Sequence, residues 1–143
     1  FSLNIHLYKR EKSKDSHGSK YIINIINSKV TFKSSHFGFR AKPGRTKTFT
    51  LKPDVFSNLI DYIKKNSLNQ NIHEKKQVGR IGLTVKLNVK LKLNGNPTKM
   101  VIHGMYNDWS RRKKETQTNI QNIRFYEKFE NIVNALENGR TYF

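Results

Sequence analysis

The sequence predicts an α+β fold in which antiparallel strands are covered by two helices. One pattern behind this is a strict two-residue alternation late in the chain. Ile81, Leu83, Val85, Leu87, Val89, Leu91 and Leu93 take turns with Gly82, Thr84, Lys86, Asn88, Lys90, Lys92 and Asn94. The other is a change to helical spacing, which occurs twice, after Pro53 and after Ile120. Composition agrees: 143 residues, 35% hydrophobic, with nine Phe, six Tyr and one Trp, suffice for a core and suit one compact domain or two half-domains sharing a core.

The elements follow in order. Residues 1–10 alternate, with Phe1, Leu3, Ile5 and Leu7 on one side and Ser2, Asn4, His6 and Tyr8 on the other, which predicts a half-buried strand. Residues 11–20 read as a polar turn or loop. A β-rich run from Tyr21 to Asn27 and a strand from Lys29 to Phe39 come next, the latter with Val30 and Phe32 opposite Thr31 and Lys33. Lys42-Pro43-Gly44-Arg45 reads as a turn, with Pro presetting φ and Gly allowing a positive one. Thr46 to Leu51 is then a fourth strand. Pro53 and Asp54 suit a first helical turn, and Val55, Phe56, Leu59, Ile60 and Ile63 follow at helical spacing, with Lys64 and Lys65 closing a helix over 53–66.

Residues 67–79 are polar and read as a linker. The long alternating run after it exceeds a usual strand, which predicts a bend or bulge. Asn94-Gly95-Asn96-Pro97 is a turn, Thr98 to Tyr106 a strand, and 107–119 a charged loop. A helix is predicted from Ile120 to Asn138 through Ile123, Tyr126, Phe129, Ile132, Val133 and Leu136, with Gly139 as its C-cap. The chain thus divides into a ββββα half at 1–66, the linker at 67–79, and a strand-rich half at 80–143 ending in a helix. Two readings of this order stand side by side. One is a pair of ββββα pseudo-repeats, and the other is a single sheet with two helices on one face.

Charge points to the partner. Lys and Arg total 28 against 10 Asp and Glu, a net charge of +18. Self-repulsion makes such an excess a cost to folding, so a polyanion that offsets it is expected, and nucleic acid is the commonest one. An AT-rich genome would explain some of the Lys but not the scarcity of Glu. Neither helix has the strongly basic face of a membrane binder, and no apolar run approaches the length that spans a bilayer, so no membrane partner is expected. The absence of Cys excludes disulfides and thiolate metal sites and fits a reducing compartment. The expected location is intracellular: nucleus, organelle or virus-infected cytoplasm. The chain opens on Phe1 rather than Met, which leaves room for a removed targeting segment.

Candidate contacts cluster in three places. Lys86, Lys90 and Lys92 share one side of their strand, with neighbouring positions roughly 7 Å apart, close to the phosphate spacing of a single strand. Phe39, Arg40, Lys42, Arg45 and Lys47 lie around the Lys-Pro-Gly-Arg turn, and one of Phe37 and Phe39 is expected in the core. Trp109 with Arg111, Arg112, Lys113 and Lys114 repeats the aromatic and basic mixture, and serves equally well as a nuclear address or a solvated loop.

The run Lys42-Pro43-Gly44-Arg45, then Phe49-Thr50-Leu51, then Pro53, Phe56, Ser57 and Leu59, resembles the signature of the Positive Cofactor Four transcriptional coactivators. The similarity covers about residues 20–66. The Pur and Whirly proteins share the layout, some with two such units in one chain. The resemblance implies a ββββα unit that binds single-stranded DNA on a curved sheet and pairs through its helices, hence a homo-oligomer. It also implies nucleic-acid contacts from Lys33, Arg45 and Lys47 and a packing role for Phe56. One extra residue separates Arg45 from the Phe-Thr-Leu run, and the second half lacks the turn signature.

Enzyme chemistry finds little support. Pro53-Asp54 with Glu74-Lys75-Lys76 has the composition of a metal-dependent nuclease motif, but Asp54 opens a helix and Glu74 falls in a polar stretch. The five His have no metal-ligand spacing, and no phosphate-cradling Gly-rich loop or nucleophile elbow occurs. The expectation is a binding protein without cofactor or metal that holds single-stranded nucleic acid, DNA favoured. Phosphates would meet Lys and Arg, and bases would stack on aromatics. Its setting would be transcription, replication or strand protection. The competing expectations are an RNA-associated structural protein, such as a ribosomal protein, and, less favoured, a nuclease.

Overall fold

Alternation along Ser2–Lys12 makes this segment a strand, β1, and its apolar side lets it pair on both edges at the centre of a sheet. The computed structural model describes residues 1–12, 16–76, 82–106, 120–140 and 142–143. Their strands are β1, β2 (His17–Ile26), β3 (Lys29–Phe37), β4 (Arg45–Thr50), β5 (Ile72–Lys75), β6 (Gly82–Leu93) and β7 (Asn96–Tyr106). They form one seven-stranded sheet in the order β4-β3-β2-β1-β6-β7-β5, antiparallel except where β5 runs parallel to β7. The helices are α1 (Pro53–Lys65) and α2 (Ile123–Glu137). None of the described helices is long and apolar enough to cross a membrane.

Register decides which side each residue takes. Leu3, Ile5 and Leu7 stand beside Ile25, Ile23 and Tyr21 on one edge and Leu91, Val89 and Leu87 on the other. All are buried, and they form one layer with Val30, Phe32, Met100 and Ile102. Both helices press on this layer, α1 through Val55, Leu59 and Ile63, and α2 through Phe125, Phe129, Ile132, Val133 and Leu136. Burying each such side chain contributes about 1.5–3 kcal/mol. The helices also touch each other, as Tyr62 donates to the Lys128 carbonyl at 3.3 Å. Phe56 packs against the core and meets Phe1 edge-on at 5.4 Å.

α2 is held at both ends by charged side chains from the two edge strands. At its start, the Glu74 carboxylate of β5 accepts the backbone N–H of Gln121 at 2.7 Å and of Asn122 at 3.0 Å. At its end, the Lys47 ammonium of β4 donates to the carbonyls of Leu136 at 3.0 Å and Glu137 at 2.9 Å. An anion at the N-terminus and a cation at the C-terminus both complement the helix dipole. Midway, Lys9 of β1 pairs with Glu130 at 2.9 Å, and Tyr126 donates to the same carboxylate at 2.6 Å. Gly139, at φ +67, completes the C-terminus, as the Arg140 N–H reaches the Ala135 carbonyl at 2.9 Å.

Several expectations change. The 67–79 stretch read as a linker contains β5, a short edge strand that the polar His73, Glu74 and Lys75 conceal. β6 shows no bulge, and its register runs unbroken from Lys92 to Gly82 against β1. α2 starts at Ile123 rather than Ile120, because Ile120 donates its N–H to Met105 and the next two N–H groups go to Glu74. Neither Phe37 nor Phe39 is core, at 38% and 78% exposed. The hairpin between β6 and β7 turns on Asn94 and Gly95, with φ of 51° and 79°, so Pro97 already lies in β7. Gly44 is required for close approach rather than positive φ, since a Cβ there would stand 2.5 Å from the Ser34 carbonyl oxygen. The described residues after α1 contribute three strands ordered β6-β7-β5, unlike the four-strand meander of the first half, and form no second ββββα unit among themselves.

The clamp on α2 has a measurable cost of removal. Lys47→Met should lower stability by about 1–2 kcal/mol and Glu74→Ala by about 1–3 kcal/mol in urea unfolding, with Lys92→Ala within about 0.5 kcal/mol of the parent. Equal stability of all three variants would remove the clamp from the account.

Candidate nucleic-acid interface

With both described helices on one side, the other side of the sheet has no helix over it among the described residues. Its residues follow from parity. On β6, Lys86, Lys90 and Lys92 all project there and are exposed, with Asn88 between them. Across the register, Lys86 neighbours Tyr8 and His103, Lys90 neighbours Asn4 and Lys99, and Lys92 neighbours Ser2 and Pro97. Lys33 lies on the same side beside Ile22 and Thr46. Arg10, Lys20, Lys29 and Lys75 share that side by the same registers. Sequence reading passed over these last four and Lys99, although parity against the apolar positions marks them.

Described carboxylates are partitioned the other way. Glu11 has the parity of Leu3, Ile5 and Leu7, Asp54 and Asp61 are on α1, and Glu127, Glu130 and Glu137 are on α2. Glu74 is buried at the start of α2. Among the described residues, therefore, the open face of the sheet carries cations and no carboxylate. The helix side carries both signs. Cations of one sign on one face raise the local potential and attract a polyanion.

Open depressions mark this face. One of about 300 Å³ is lined by His6, Leu7, Tyr8, Lys20, Lys86 and Asn88. A second, of about 480 Å³, includes Asn4, Asn24, Asn71, Lys90, Lys92 and Lys99. A third, of about 550 Å³, includes Asn71, His73, Lys75, Asn88 and Lys99. Shared Asn88, Asn71 and Lys99 make the three continuous. Asn and Lys side chains recur in all three linings, so the surface offers donors to phosphate and sugar oxygens along its length.

The turn residues divide. Lys47 lies opposite Phe32, on the helix side, with its ammonium 5.2 Å from the Phe32 ring and 5.4 Å from the Phe49 ring. It holds α2 and is turned away from Lys33. Parity with Phe49 and Leu51 is the signal for that side. Arg45 pairs with Ser34 and so takes the helix side as well, though it is exposed. Lys42 approaches Glu137 at 3.9 Å. Phe39 and Arg40 stand at the tip of the β3–β4 loop, with the guanidinium 5.2 Å from the ring and Arg40 at φ 56°. Trp109, Arg111, Arg112, Lys113 and Lys114 lie outside the described residues.

Two histidines feel the cationic surroundings. His103, on the open face, is held below its ordinary pKa of 6.5 by burial first, then by Lys75, Lys86 and His73. His36, on the helix side, is held below 6.5 by burial and Lys42, with Glu137 opposing. Its Nδ1 lies 2.7 Å from the Ser19 hydroxyl. Among the described residues, no group of three or more His, Cys, Asp or Glu could hold a metal ion.

No protein-family model and no curated protein matches this sequence.

The histidine shifts fix a pH dependence. Below 6.5 the unfolded chain takes up protons that folded His36 and His103 resist. Stability from this source is therefore complete above that pH, falls as pH drops through it, and levels below the depressed folded values. Urea midpoints measured between pH 8 and 5 should decline in that window, and His36→Gln with His103→Gln should flatten the decline.

Proposed function

We propose that this chain binds nucleic acid on the open face of its sheet and acts as a binding protein rather than an enzyme. The observation that carries the reading is the partition of charge. Lys33, Lys86, Lys90 and Lys92, with Lys20, Lys29 and Lys99 beside them, occupy a face that has no carboxylate among the described residues. Each phosphate met there releases condensed counterions, which makes association favourable and salt-sensitive. Flexible single strands suit a broad surface of amides and ammonium groups, since their backbone can follow it. The resemblance of the 42–59 run to the Positive Cofactor Four signature favours DNA among single strands. The setting would then be intracellular, in transcription, replication or strand protection.

A second reading has its own observation. Over most of the face the floor is Asn, Ser, Thr and Lys rather than aromatic, which also fits backbone and 2′-hydroxyl contacts to folded RNA. An RNA-associated structural protein would bind structured RNA more tightly than an unstructured strand of equal length.

Titration against single-stranded DNA, duplex DNA and structured RNA at several salt concentrations tests both. Lys86→Ala/Lys90→Ala/Lys92→Ala should flatten the slope of log K against log[salt] for single strands by about 2, at roughly 0.7 per phosphate contact. Lys64→Ala/Lys65→Ala, on the helix side, should leave it unchanged. An unaltered slope in the triple variant would clear the β6 lysines of the role.

A further inference from the structure

The geometry points to a single-base pocket at one corner of the open face, around Tyr8, with the rest of the face taking only backbone. This rests on the reading of that face as the nucleic-acid surface, and it narrows the ligand to a strand with an unpaired base. Phenyl rings on the face are confined to this corner among the described residues. Tyr8 and Phe37 lie with centroids 6.2 Å apart and planes 17° from parallel. Phe37 reaches this position because Gly18 lies beneath it: a Cβ on Gly18 would stand 2.5 Å from the Phe37 ring and 2.2 Å from the Lys9 carbonyl oxygen. The ring is thus laid over the strand as a platform, and it remains 38% exposed. Leaving an aromatic surface in water is unfavourable, and a stacked base would cover it.

The surrounding groups match the parts of one nucleotide. The depression of about 300 Å³ against Tyr8 has Asn88 and His6 on its wall, which offer donors and acceptors to a base edge. Lys20 and Lys86 flank it, placed for the phosphates on either side, and the Lys86 ammonium lies 5.7 Å from the Tyr8 centroid. The two larger depressions, by contrast, contain no Phe, Tyr or Trp in their linings. Among the described residues, stacking is therefore available at one point and electrostatic contact along the remainder. A strand would lie in one register, with a base at the β1–β2–β3 corner and its backbone running over β6 and β7. A duplex would have to expose that base first.

Short single strands carrying one 5-iodouracil at successive positions, photo-crosslinked to the protein and mapped by peptide mass spectrometry, test the pocket. Crosslinks should concentrate on the peptides containing Tyr8 and Phe37. Tyr8→Leu/Phe37→Leu should abolish them and weaken single-strand binding about 5- to 100-fold with the salt slope unchanged. Phe37→Leu alone should weaken binding in the same sense, and Tyr8→Phe should bind as the parent does. Crosslinks spread over the β6 and β7 peptides, or parental affinity in the Leu variants, would overturn the pocket while leaving the surface intact. If the parent chain shows no salt-dependent binding to any nucleic acid, the surface reading falls and the pocket with it.

Discussion

A strand has two sides, and along β1 and β6 the aliphatic side chains take one of them without exception. That constraint sends both helices to the same side. α2 is then fixed from edge to edge, Glu74 of β5 at its start and Lys47 of β4 at its end. The opposite side, seven strands wide, carries polar and cationic residues for the most part, with Ile22, Ile26, Val101 and Met105 among them. The distribution of charge follows from this arrangement. Carboxylates that pair with Lys9, cap α2 or line the helices all serve the helix side, and none in the described residues neutralises the open one.

The partition separates two roles that look alike in the sequence. Lys47 and Lys33 are both lysines in a β-rich basic stretch, yet one holds helix carbonyls and the other faces outward. Lys9 and Lys20 differ in the same way: the first is paired with Glu130, the second borders the depression at Tyr8. A cation used inside the fold contributes stability, while one left without a carboxylate beside it raises the potential of the surface. The open face is therefore a consequence of which lysines the fold consumes.

Much of this was legible in the sequence, and the reasons for success and failure are physical. Alternating runs identified β1, β3 and β6, and helical spacing identified α1 and α2, because burial on one side imposes those periods. The common side of Lys86, Lys90 and Lys92 followed directly. β5 was hidden because a four-residue edge strand with a single apolar residue, Ile72, leaves almost no period to detect. The start of α2 was misplaced because its cap comes from Glu74, far away in the chain. Lys47 sits on the helix side, as its parity with Phe49 indicates, where the turn signature alone says nothing of its direction. The Tyr8–Phe37 pair depends on pairing across three strands, which no local pattern encodes.

Lysine footprinting tests the central claim most directly: the chain is acylated with and without a single-stranded oligonucleotide at low salt, and each lysine is quantified by mass spectrometry. The account predicts protection at Lys33, Lys86, Lys90, Lys92 and Lys99, and unchanged labelling at Lys64, Lys65 and Lys128. Protection centred on the helix-side lysines, with the β6 lysines still labelled, would contradict it.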